Sequence, residues 1–156
     1  MTIRPAAPAD APQIADIWNH AIRETVITFN PVEKSVSEVA ELASEDCLVW
    51  VDGDQVLGFA RYFPFRGGEG YRFTVEHTIM LHHDAHGRGI GTKLMEALFL
   101  HAKDAGKHSM FAGCSAENAS AVQFHARLGF QEVATLPEVG FKFGRWHDLV
   151  LMQKIL

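Results

Sequence analysis

Glu76 and Arg72 stand in a stretch from Tyr71 to His82 that is largely apolar, aromatic or β-branched, and glycines alternate just beyond it at Gly87, Gly89 and Gly91. An acid among Val75 and Ile79 is costly to desolvate, and that is one way to place a poised proton acceptor. The competing reading is a solvent-facing carboxylate or an ion pair with Arg72, because strand residues 72, 74 and 76 would share a face. The glycines remove the side chains that keep a backbone from wrapping round a ligand. From Thr92 the apolar positions Leu94, Leu98 and Ala102 recur every four residues, which predicts a helix starting where the glycines stop. Its unpaired first N–H groups, its dipole and the nearby Arg88 and Lys93 make a site for a phosphate or pyrophosphate. A nucleoside-triphosphate loop would need Gly-Lys-Ser/Thr, whereas Gly91-Thr92-Lys93 has the wrong order. A dinucleotide fingerprint would need a third glycine three positions after the second and a strand acid, and neither is found.

These groups need a frame. The chain has 156 residues, 47% of them hydrophobic, enough for one domain over 1–156 with a sizeable core. A net charge of −5 excludes a general basic field for nucleic acid. No apolar run has the length of a membrane span and the start has no apolar signal core, so a cytoplasmic protein is expected. Cys47 and Cys114 lie in apolar stretches and read as reduced, packed thiols. In chain order the pattern predicts a strand at Thr2–Arg4, then a helix capped by Asp10 with Ile14, Ile17, Trp18 and Ala21 on one face. A second helix opens at the capping box Ser35-x-x-Glu38 and runs to about Ser44. Strands Cys47–Val51 and Gln55–Phe63 join across Asp52-Gly53-Asp54. After the central strand and helix come a strand at Ser109–Cys114, a helix at Ala119–Leu128, and strands at Phe130–Val139 and His147–Ile155. This is an α/β domain with a mixed sheet.

The loop His86-Gly87-Arg88-Gly89-Ile90-Gly91 resembles the acetyl-coenzyme A loop of the GNAT superfamily of N-acetyltransferases, with His86 where Gln or Arg is usual. The segment Asn118–Phe130, closing on Phe124-x-x-x-Leu128-Gly129-Phe130, is similar to the second cofactor segment of that superfamily. Three further stretches, Tyr71–His77, Ala112–Asn118 and Val139–Leu149, resemble the phosphinothricin and methionine sulfoximine/sulfone acetyltransferases. The resemblance implies a GNAT fold, with a mixed, mostly antiparallel sheet flanked by helices. It also implies acetyl-CoA as co-substrate, acetylation of the α-amino group of a small amino acid or analogue, and a homodimer.

Such chemistry requires an amine to lose a proton, a carbonyl oxygen to be stabilised as charge builds, and a leaving thiolate to gain a proton. The resemblance makes Glu76 the base, acting directly or through water. His125 stands where many acetyltransferases place a tyrosine that protonates the thiolate, and a structural histidine is the alternative. The pyrophosphate falls to His86, Gly87, Arg88, Gly89, Ile90, Gly91 and Thr92. The pantetheine arm falls to the Asn118 amide and the backbone of Ile79 and Leu81. Arg72 suits a carboxylate clamp, with Thr74, Tyr71 and Phe29 about the acceptor; a surface ion pair for Arg72 and a core role for Phe29 compete. His82, His83, Asp84 and His86 invite a metal reading, but they lie in the turn that the phosphate loop requires, and no metal is expected. Lys142, Arg145, Trp146 and His147 reach either a substrate, a partner subunit or only their own turn. Two other functions stay open: acetylation of a peptide N-terminus, and non-catalytic acyl-CoA binding.

Overall fold

The computed structural model describes residues 1–44 and 46–156. The strands are β1 (Thr2–Pro5), β2 (Cys47–Asp52), β3 (Gln55–Pro64), β4 (Thr74–Leu81), β5 (Ser109–Ser115), β6 (Gln131–Lys142) and β7 (Arg145–Ile155). The α-helices are α1 (Ala11–Glu24), α2 (Val36–Leu42), α3 (Ile90–Asp104) and α4 (Ala119–Arg127). All the strands join one sheet in the order β1-β2-β3-β4-β5-β7-β6. Every pairing is antiparallel except that of β4 with β5.

Strand alternation sorts the core into two layers. Cys47, Val49, Phe59 and Met80 face α1 and α2, where Ile14, Ile17, Trp18, Ile22 and Val39 cover them. Leu48, Trp50, Ala60, Tyr62 and Val75 face the other way, onto Ile90, Leu94, Met95 and Leu98 of α3. The apolar stripes read from the sequence are these covering faces.

Four boundaries differ from expectation for local reasons. Asp10 does not cap α1 with its side chain; its carboxylate takes two bonds from the Arg4 guanidinium at 2.7 and 2.9 Å and one from the Ala7 N–H at 2.8 Å, closing a 3-10 turn at Pro8–Asp10. A two-point guanidinium contact outcompetes the helix-end amides. Ser35 Oγ accepts from the Glu38 N–H as expected, but α2 stops at Leu42. Helix α3 starts at Ile90, before Thr92, with Gly89 at φ 72° as its cap, so Gly91 lies inside the helix. There Gly91 serves packing, because a Cβ would stand 3.3 Å from Leu81 and 3.4 Å from the Phe124 ring. The last two strands are longer than expected, joined by a tight turn in which Phe143 and Gly144 both have positive φ, 54° and 74°.

That hairpin grips the loop after α1. Phe29 stacks on His147 with ring centres 5.2 Å apart, and a Cβ on Gly140 would stand only 2.3 Å from the Phe29 ring. The buried Lys142 amine donates to the carbonyls of Thr25 and Thr28 at 2.6 and 2.7 Å, and His147 Nε2 bonds to the Lys142 carbonyl at 2.9 Å. Gly140→Ala is therefore expected to destabilise the protein by about 1–3 kcal/mol through overpacking. In a urea-denaturation double-mutant cycle, Phe29→Ala in the same chain should remove most of that extra cost; full additivity would mean the two residues are not in contact.

Candidate active site

β4 and β5 pair over only three rungs, Thr74↔Ser109, Val75↔Met110 and Glu76↔Phe111. Beyond them each strand keeps its outer neighbour, β4 with β3 as far as Leu81 and β5 with β7 as far as Ser115. The two strands therefore part after Glu76 and leave facing edges unpaired by backbone. Those edges need hydrogen-bond partners, and an amide-bearing chain laid between them would supply some. Ile79 and Leu81 lie on this unpaired length of β4, with side chains packed on the α3 layer.

Glu76 occupies the last rung. Its cross-strand partners on the same face are Phe63 of β3 and Phe111 of β5, and Phe111 stacks on Phe65 with ring centres 4.5 Å apart. The half-buried carboxyl is pushed above its usual range by this desolvation alone. The face that Glu76 shares with α1 and α2 is open locally: Arg61, Phe63, Thr78 and Phe111 are half-buried and Gly113 is exposed. On the opposite face the neighbouring Tyr62, Val75, His77, Met110, Ala112 and Cys114 are all buried. The sheet is thus sealed below and accessible above at the rung that carries the acid.

The glycine turn lies past the far end of β4. His83–Ala85 form a 3-10 turn, Gly87 and Gly89 have φ 75° and 72°, and no atom lies within 4 Å of where their Cβ would be. The first intrahelical bond of α3 is Lys93 N–H to Gly89 O, so the amides of Ile90, Gly91 and Thr92 precede it. His86 and Arg88 are exposed there; Arg88 reaches Asp52 at 3.4 Å, and the Lys93 amine lies 5.7 Å from the centre of the Trp50 ring. These free donors, the open space above two left-handed glycines and the local cations suit a pyrophosphate.

At the other arm of the fork, Asn118 caps α4. Its Oδ1 accepts from the Ala121 N–H at 3.1 Å and the Ser120 hydroxyl at 2.9 Å. Among the described residues its Nδ2 has no partner, so the amide keeps a donor for a ligand carbonyl. Beside it a cavity of about 440 Å3 is walled by Thr25–Ile27, Phe143 and the Arg145–Glu117 ion pair. Glu76 is not in that wall, so this cavity is not where Glu76 would take a proton.

His125 lies in the sealed layer. Its Nδ1–H donates to the Ala121 carbonyl at 2.7 Å, and its Nε2 meets His77 Nε2 at 3.0 Å. Burial lowers the pKa of both rings, that of His77 to about 3, so both are neutral and the bridging proton comes from His77. Donating a proton to a leaving thiolate would require His125 to break this bond. Cys114 Sγ of β5 sits 3.5 Å from the same ring. His77 is the first residue past the last β4–β5 rung, so the pair ties the departing β4 to α4 and β5.

Arg72 is not on the strand face of Glu76. It follows a 3-10 turn at Glu69–Tyr71 and precedes the first residue of β4, so strand alternation does not apply. Exposed, it donates to the Glu69 carbonyl at 2.8 Å and lies 4.3 Å from the Phe73 ring centre. Tyr71 is exposed beneath Arg66, Thr74 is half-buried at the start of β4, and Phe29 is held in the hairpin contact described above. His82, His83 and Asp84 bring their ligand atoms within 4.8 Å of one another, without His86. Cys47 and Cys114 are free and buried, each pushed up to about 11.

A carboxyl whose folded pKa exceeds its unfolded value, near 4.3, holds its proton more tightly when folded. The stability this contributes is present below the unfolded value and lost as pH rises through the folded one. Glu76→Gln should therefore raise the urea midpoint relative to the parent at pH 8, with the gain vanishing towards pH 4. A difference independent of pH would mean that the carboxyl is not desolvated.

Comparison with known proteins agrees with this geometry. Residues 14–130 match the acetyltransferase (GNAT) family. The chain is 40% identical to an L-amino acid N-acyltransferase of Escherichia coli, covering 98% of this chain and 92% of that protein. It is 38% identical to the L-methionine sulfoximine/L-methionine sulfone acetyltransferase of Salmonella typhimurium, over 98% and 93% of the two chains. A phosphinothricin acetyltransferase from Sinorhizobium meliloti, solved in complex with acetyl-CoA, superposes with a TM-score of 0.93 at 32% identity, over 99% of this chain and 88% of that one. With a full-length match in sequence and structure around the forked sheet and its glycine turn, the chain belongs to the GNAT family of acetyltransferases.

Proposed function

We propose that this protein is an acetyl-CoA-dependent N-acetyltransferase for the α-amino group of a small amino acid or analogue, of the methionine sulfoximine, methionine sulfone or phosphinothricin kind. The observation that carries the reading is the position of Glu76, a desolvated carboxyl on the last rung before β4 and β5 part. Glu76 receives a proton from the acceptor nitrogen, directly or through one water. Its raised pKa brings it nearer that of an amine than an ordinary carboxylate would be, which lowers the cost of the transfer.

The residues fit the co-substrate. The amides of Ile90, Gly91 and Thr92, the open backbone of Gly87 and Gly89, and Arg88, with His86 and Lys93 alongside, would hold the pyrophosphate. The Asn118 amide and the free edge of β4 at Ile79 and Leu81 would hold the pantetheine amides. When bound, acetyl-CoA supplies the acetyl group as a reactive thioester. The sealed layer beneath, closed by the His77–His125 pair, keeps water from that side of the fork.

The same reading carries a homodimer and a cytoplasmic location. Phe141, Phe143 and Trp146, each 54–59% exposed on the β6–β7 hairpin, support the first, since a monomer gains nothing from leaving them in water. Two free, buried thiols support the second. Arg72, Thr74 and Tyr71 at the start of β4 remain the proposed rim of the acceptor site.

Thiol release from acetyl-CoA, measured against free amino acids, these analogues and dipeptides, tests the proposal. Methionine sulfone or a related amino acid should react fastest, and Glu76→Gln should lower kcat by about 100- to 10,000-fold. Preference for dipeptides would move the acceptor to peptide N-termini. Acetyl-CoA binding with no turnover of any amine, and no effect of Glu76→Gln, would leave an acyl-CoA-binding module.

A further inference from the structure

We propose that His82, His83 and Asp84, at the end of β4, form a site for one divalent cation of the zinc kind, opening onto a cavity against α1. The site precedes the glycine turn, lies outside the groups assigned to the cofactor, and does not depend on the acetyltransferase reading.

His82 follows the last residue of β4 and caps the 3-10 turn His83–Ala85, its Nδ1 accepting from the Asp84 N–H at 3.2 Å. The turn sets the Asp84 carboxylate beside both rings. One of its oxygens stands 3.5 Å from His82 Nδ1 and the other 3.1 Å from His83 Nε2, and the two ring centres are 4.0 Å apart. One donor atom from each residue lies within 4.8 Å of the other two. Ligands around a tetrahedral ion with bonds of about 2.0–2.2 Å stand about 3.3–3.6 Å apart, so small side-chain rotations close these donors on an ion. Capping the turn uses only His82 and gives His83 no reason to share the same carboxylate. The cap bond is long, and a doubly charged ion is a stronger partner for that lone pair.

The surroundings suit a cation that comes and goes. His82 is half-buried, and His83 and Asp84 are exposed. Beside them a cavity of about 240 Å3 is walled by Leu81, His82 and His83 on one side and by Asp16, Ile17, His20 and Arg23 of α1 on the other. A third imidazole and a second carboxylate thus line the open side of the site. Arg23 brings a positive charge to that wall, but it is paired with Glu33. Arg88 reaches Asp52 and only the backbone carbonyl of Asp84, each at 3.4 Å. Among the described residues the Asp84 carboxylate therefore meets no lysine or arginine, and its charge is left to the imidazoles or to an ion. Two imidazoles with one carboxylate favour zinc over magnesium or calcium, which take oxygen ligands. Three protein donors leave a fourth position for water. In the sequence these residues, with His86, looked bound up with the phosphate turn. In the fold His86 is not among the donors, and the three end before Gly87, the first left-handed glycine of that turn.

The test is calorimetric titration of zinc chloride into the untagged, chelator-stripped protein, with folding monitored by circular dichroism. The parent should bind one zinc ion per chain. His83→Ala and Asp84→Asn should each weaken that binding at least about 10-fold, the loss typical of a group that merely supports a ligand. His83 decides the matter if His82→Ala disturbs the turn, because the His83 ring caps nothing. His108→Ala, an exposed histidine near the start of β5, should leave the isotherm unchanged. Magnesium chloride in excess should not compete. Zinc binding that His83→Ala leaves intact, an equal loss in His108→Ala, displacement by magnesium, or no binding by the parent would each overturn the proposal.

Discussion

The architecture depends on one constraint: a sheet cannot hold a neighbouring chain between two of its own strands unless those strands stop pairing while the rest of the sheet stays intact. Among the described residues β4 and β5 are the only parallel pair, and they separate after three rungs. Each remains anchored on its outer side, β4 by β3 and β5 by β7, so neither strand is a loose end at the opening. The turn that follows β4 leads directly into α3. The amide donors of a helix N-terminus are thereby placed at the far end of the same strand whose near end carries Glu76.

The two faces of the fork have opposite chemistry. One is closed by apolar residues of α3 and α4 and by two neutral histidines, His77 donating to His125 and His125 to a backbone carbonyl. The other carries Arg61, Glu76, Thr78 and the phenylalanines, and it is partly exposed. Burial acts on both faces in the same direction, against charge. On the closed face it removes charge from the histidines. On the open face it leaves an acid and a guanidinium short of solvation, with no ion pair to either among the described residues. The difference is that the open face has room for a partner to arrive.

Much of this was legible in the sequence where the signal is local. The glycine turn, the apolar stripe of α3, the Asp52–Asp54 hairpin and the Asn118 cap are set by residues within a few positions of one another, and each formed where the pattern placed it to within a few residues. One local signal misled: Asp10 looks like a helix cap because its type and position suit one, yet Arg4 sits across the turn and claims its carboxylate. Gly91 has a second use that the motif does not show, since its missing side chain also admits the contact of α3 with Leu81 and Phe124.

What was not legible depends on register between distant segments. Arg72 was assigned to the strand face of Glu76 by counting alternate residues, and the count fails because β4 begins only at Thr74. Arg61 gave no signal beyond being a single charge in an apolar strand. That it shares a face with Glu76 appears only when β3 and β4 are aligned with Thr78 opposite it. The grip of Lys142, Gly140 and His147 on the loop bearing Phe29 is likewise invisible until the last hairpin folds back on the first helix. The proposed pyrophosphate cradle is one contiguous stretch, the glycine turn and the start of α3, and is written in a motif. The surroundings of Glu76 come from β3, β4 and β5, which meet only in the folded sheet, so no local motif records them.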